Sequence, residues 1–213
     1  MNLRTFDSAD AFLESAELTL MANEAENALI LGVALRLQDG HSFGDEPALL
    51  ACVEENGKVA AIAARTPPYN LLVREATATG QALELLVRHL YAEGVRLPGV
   101  HGERASAVGF AERWTRLTGI RSRIAMEQRL YRLSEVDTPS GVPGCFRPAG
   151  LEDRDLLIAW VSAFVDEAVG GAPHPDPAGL VDRLTSDGAL AVWDDDGAVS
   201  MTSSNRPTPN GIA

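Results

Sequence analysis

The sequence predicts a mixed α/β fold (α+β, with a mixed sheet): one complete sheet-and-helix unit followed by the N-terminal half of a second. Three observations carry this expectation. A hairpin-and-bend pattern occurs twice, at residues 50–70 and 190–210, aligned without a gap at an offset of 140 residues. Apolar runs with helical spacing lie between short strand-like runs. The stretch from Ser134 to Gly144, "SEVDTPSGVPG", breaks every period and is rich in Pro, Gly and Ser, as a linker is. The expected division is a complete unit over 1–135, a linker over 136–144 and an incomplete unit over 145–213.

Each copy begins with a short strand running into a helix, "LRTFDSADAF" near the start and "FRPAGLEDRDLL" at 146–157. Acidic residues in the first helical turn oppose the helix dipole. In the second copy Leu156, Trp160, Phe164 and Ala168, flanked by Leu157, Val161 and Val165, predict one broad core-facing stripe. The repeated pattern itself matches at Leu50/Leu190, Ala51/Ala191, Gly57/Gly197, Val59/Val199, Pro67/Pro207 and Asn70/Asn210. Two apolar runs joined by an acidic turn that closes on glycine predict a β-hairpin, with Asn56-Gly57 and Asp196-Gly197 supplying the left-handed backbone of a tight turn.

Past its bend the first copy continues with a strand at Leu71-Leu72-Val73 and a helix from about Gly80 to Tyr91, with Leu83, Leu86, Val87 and Leu90 inward. A short Gly99-Val100-His101 strand follows, then a helix near 105–118 bearing Val108, Ala111, Trp114 and Leu117. "RIAMEQRLYRL", at 123–133, predicts a last strand with Ile124, Met126, Gln128 and Leu130 on one face. Asn210 is expected at a bend that leads into a further strand.

Composition narrows the function classes. The chain has 213 residues, 46% of them hydrophobic, which suits a buried core. A net charge of −12 and a pI near 4.7 disfavour nucleic-acid and anionic-membrane surfaces. Cys52 and Cys145 are the only cysteines and form no CxxC, so neither a disulfide framework nor a thiolate metal site is indicated. With no apolar stretch of membrane-spanning length and no leader-like start, the expected location is the cytoplasm.

The order strand, helices, hairpin, strand, helix, strand, helix, strand resembles the GNAT-type N-acetyltransferase superfamily, specifically bacterial members with two such domains in tandem. The most specific piece is "SMTSSNRPTPNGIA", from Ser200 to Ala213. The resemblance implies acetyl-CoA as cofactor and a primary amine, small-molecule or peptide, as acceptor. It places the cofactor loop and the usual general acid after Ala213, so catalytic residues are not assigned and this chain is expected to bind no acetyl-CoA tightly. In the first unit the corresponding segment, "LLVREATATGQALELL", has Gly80 alone where a glycine-rich basic loop is expected, with Glu75 facing where phosphates would sit. That unit reads as a degenerate structural copy.

Candidate acceptor-site residues are few. Between the copies Ala60, Ile62 and Ala64 become Ser200, Thr202 and Ser204, which share one strand face and are read either as a polar cleft wall or as a solvent-facing surface. Asp166 and Glu167 border that region in similar proteins and would attract a cationic amine; the alternative is a solvated helix end. His41, His89, His101 and His174 lack ligand spacing, Asp194-Asp195-Asp196 lacks the further ligands of a calcium loop, and Ser203-Ser204 lacks a nucleophile-elbow context. The alternative to acetyl transfer is a non-catalytic binding module on the same scaffold, its open hairpin edge covered by homodimerisation.

Overall fold

The computed structural model describes residues 1–138, 140–169, 176–204 and 206–212. Among them are six helices, a five-stranded mixed sheet and a three-stranded antiparallel sheet, in two compact units. The first comprises Met1–Arg132 together with Thr208–Gly211; the second holds Leu133–Pro207.

In the first unit β1 (Asn2–Phe6), β2 (Leu49–Glu55), β3 (Lys58–Arg65), β4 (Leu71–Glu75) and β5 (Val100–Gly102) pair in sequence order. Every pair is antiparallel except β4 with β5. The β2–β3 turn is Asn56-Gly57, with φ of 51° and 76°, the two left-handed residues that a twisted two-residue hairpin requires. Helices α1 (Ala9–Met21) and α2 (Glu24–Gln38) bury Phe12, Leu13, Leu20 and Leu31 against Leu50, Cys52 and Ile62. Helices α3 (Gln81–Ala92) and α4 (Arg104–Thr118) bury Leu83, Leu86, Leu90 and Phe110 with Ala51, Val53, Ala61 and Ala63. Covered on both sides, β2 and β3 read as continuous apolar runs and not as an alternation.

Local signals place the helix starts. Ser8 Oγ accepts the Ala11 N–H, and the Glu103 carboxylate accepts the N–H groups of Ala105 and Ser106. On α4 the buried side chains are Ser106 and Phe110, while Leu117 is exposed and Trp114 half-buried, so the inward face lies one position from the expected one. Trp114 instead stacks on Phe110, with ring centroids 5.8 Å apart. The expected strand over 123–133 is not formed: these residues join no ladder and all are exposed. Alternation makes a strand only where an edge receives it, and this segment follows α4 instead of a sheet edge.

The second unit repeats the opening of the first. Strand β6 (Cys145–Pro148) leads through a 3-10 turn into α5 (Arg154–Phe164) and a π-helical turn (Val165–Val169); α6 (Pro177–Ser186), β7 (Leu190–Asp194) and β8 (Ala198–Ser203) follow. The sheet order is β6-β7-β8, antiparallel throughout. Two irregular details recur. Both hairpins shift register at the same place, between Val53 and Glu54 and between Trp193 and Asp194. An arginine on the first strand reaches the acidic residue two positions past its partner in both units: Arg4, opposite Cys52, pairs with Glu54, and Arg147, opposite Val192, pairs with Asp194.

The second unit departs from expectation in two ways. Helix α6 was not anticipated; Asp176 caps it by accepting the Gly179 N–H, Pro177 stands in its first turn, and Val181 and Leu184 are buried. The buried stripe of α5 is Leu157 and Val161, with Leu156 and Phe164 exposed. Asn210 lies in the turn between two short strands, β9 (Pro207–Thr208) and β10 (Gly211–Ile212). Within the first unit its backbone N–H and side-chain amide both donate to Glu24, at 2.7 and 3.0 Å. No described helix is long and apolar enough to cross a membrane.

Candidate functional site

The hydroxyl row expected from the sequence is set by the β8 ladder. Ser200 lies opposite Trp193 and Thr202 opposite Ala191, and both are exposed. Val192 and Met201, on the other face, pack with Leu157, Val161 and Leu184. Ser204 is half-buried just past the strand, and its N–H donates to the Ala189 carbonyl at 2.8 Å. The gap-free alignment misplaces the counterparts of this row. In the first unit Val53 pairs with Ala61 and Ala51 with Ala63, so the alanines equivalent to Ser200 and Thr202 are Ala61 and Ala63, which pack with α3. The one-residue difference arises in the turns: four residues separate Glu54 from its partner Val59, whereas three separate the equivalent Asp194 from its partner Ala198. A face that is closed in the first unit therefore carries exposed hydroxyls in the second.

Asp166 and Glu167 lie in the π-helical turn after α5, both exposed. Among the described residues no hydrogen bond or ion pair joins them to Ser200, Thr202 or Ser204. His174 lies outside the described residues, and no described cluster of His, Cys, Asp and Glu could hold a metal ion.

Sequence reasoning missed the strongest polar cluster of the second unit. The Arg147 guanidinium donates to both Asp153 oxygens, at 2.6 and 2.8 Å, and to Asp194 at 2.7 Å. Asp153 is buried, with 6% of its side chain exposed, and also accepts the Gly150 N–H at 2.8 Å. These bonds hold the Asp153 carboxyl at about 2, below the ordinary 3.8, the Arg147 hydrogen bond being the main cause; Asp194 is lowered in the same way. One cation thus ties β6, the turn into α5 and the end of β7. The signal available in the sequence was the recurrence of Arg4 with Glu54 as Arg147 with Asp194.

The first unit has its own informative position where β4 ends and α3 begins. Gly80, at φ 73°, precedes α3, and its N–H donates to the Glu75 carboxylate at 2.7 Å. Helix N-termini attract anions. Here a side chain of the same unit meets that demand. The Arg113 guanidinium closes the other side, lying where a Cβ on Gly80 would fall and donating to the Gly109 carbonyl at 2.8 Å.

A cleft of about 330 Å³ lies after α2 and is lined by His41–Ala48 with Leu37 and Thr66. None of the expected site residues lines it. Cys52 is buried, and desolvation pushes its thiol up to about 12, whereas Cys145 is exposed. No protein-family model, curated protein or solved structure matches the chain.

Proposed function

We propose that the chain is part of an acetyl-CoA-dependent N-acetyltransferase of the tandem GNAT type, which moves an acetyl group to a primary amine of a small molecule or peptide. In this reading the first unit is a structural copy and the second carries the acceptor site. The observation that carries it is the element order of the first unit: an antiparallel meander closed by a single parallel pair, β4 with β5, with α3 beginning at the end of β4. Ligands of open α/β sheets bind outside the carboxyl ends of parallel strands, where such a helix presents its N-terminus. In the first unit Glu75 fills that place, which supports a non-catalytic role there.

The second unit repeats the same opening and differs where an acceptor would lie. Ser200 and Thr202 supply hydroxyls able to hydrogen-bond an incoming amine, and Asp166 and Glu167 would attract its cationic form. In such a transfer the amine nitrogen bonds to the acetyl carbon as the thioester C–S bond breaks, and the nitrogen gives up a proton; positioning and proton removal carry the rate. A second reading, a binding module without catalysis, is favoured by the Glu75–Gly80 closure of the first unit. The experiment is an acetylation assay on the longest in-frame product of the gene, with labelled acetyl-CoA and a panel of amines. Transfer that falls when Ser200 and Thr202 become alanine supports the proposal; no transfer, with saturable amine binding retained, favours the binding module.

A further inference from the structure

We propose that Ile124–Arg132 becomes a strand by joining, antiparallel and in register about Gln128, the same segment of a second copy of the chain. The segment is tied to α4 at two places. Ser122 contacts Thr115 of α4 through their hydroxyls at 3.3 Å, and Glu127 forms an ion pair with Arg104 at the start of the same helix.

What the segment exposes needs a partner. Ile124, Met126, Leu130 and Tyr131 are 56%, 51%, 64% and 82% exposed, and its backbone joins no ladder. A free strand carrying alternate apolar side chains is a template for another strand.

Charge pattern identifies the occupant. Centred on Gln128, the antiparallel register sets Glu127 opposite Arg129 of the second copy, twice by symmetry, Met126 opposite Leu130 and Ala125 opposite Tyr131. Moving the centre to residue 127 sets glutamate against glutamate, and moving it to 129 sets arginine against arginine. The Gln128 register brings no like charges together, so the sequence here complements itself in one symmetric alignment. This association is independent of the acetyltransferase reading.

The test is sedimentation of the full chain across a concentration series up to about 100 μM, within the range of weak specific pairing. A concentration-dependent dimer is expected. Arg129→Glu and Glu127→Arg should each weaken it by about tenfold or more, because like charges then face each other at two places. The two single variants mixed together, and the double variant alone, should recover it, with circular dichroism confirming that each is folded. A chain that stays monomeric throughout, or a dimer indifferent to these exchanges, overturns the proposal. Slow amide exchange over 124–132 that does not depend on concentration also overturns it, because the strand is then paired within its own chain.

Discussion

Replacing Asp153 with alanine tests how the second unit is held together. The substitution removes two charge-assisted bonds from Arg147 and leaves the Gly150 N–H without its acceptor in a place that is 6% exposed. Arg147 keeps Asp194 and is itself partly open to water, which limits the loss. A carboxyl held at about 2 against 3.8 corresponds to roughly 2 kcal/mol of stability at neutral pH, in line with the usual cost of unmaking such a bond. For a unit of this size that lowers the melting temperature by roughly 10 °C. Thermal unfolding followed by tryptophan fluorescence reads it, with Trp114→Phe as background so that only Trp160 and Trp193 of the second unit report. The pH dependence has a definite sign. Because the folded carboxyl titrates below the unfolded one, its contribution is complete above about pH 4 and vanishes as pH falls toward 2. The gap between wild type and Asp153→Asn should therefore close over that window. A variant that melts within a degree or two of wild type at pH 7 would refute the reasoning.

Two further outcomes follow from packing. Phe110→Ala should destabilise the first unit by about 3–5 kcal/mol, and Leu117→Ala by under about 1, as chemical denaturation can measure; the reverse order would restore the helix face expected from the sequence. A thiol reagent at pH 8 should modify Cys145 promptly in the folded chain and Cys52 only on unfolding, since the buried thiol is pushed up to about 12; two equally fast reactions would contradict that burial.

What the sequence made legible was local. Asn56-Gly57 and Asp196-Gly197 announced hairpins because few residues accept a left-handed backbone, and Leu83, Leu86, Val87 and Leu90 marked one helix face without ambiguity. What it hid was decided by partners distant in the chain. Alternation over 123–133 is a strand's pattern, yet strand formation depends on an edge that receives it. The counterparts of Ser200 and Thr202 moved by one residue because the connection from Asp194 to Ala198 is one residue shorter than that from Glu54 to Val59, which no gap-free alignment can register. Helix α6 was signalled by Asp176-Pro177 and by Val181 and Leu184, but its ten residues offered too little periodicity to stand out. Arg147 and Asp153 became a pair only when the turn after β6 brought them together.

The proposed reading is that the first unit keeps the scaffold of an acetyl-CoA site; what the structure places at the N-terminus of α3 is the unit's own Glu75. Isothermal titration of acetyl-CoA into the 213-residue chain tests it most directly. The account predicts no saturable heat at ligand concentrations of about 100 μM, which corresponds to binding weaker than roughly 5.5 kcal/mol. Micromolar binding that is lost on Gly80→Val would contradict it, because the cofactor would then be using the helix end assigned here to Glu75.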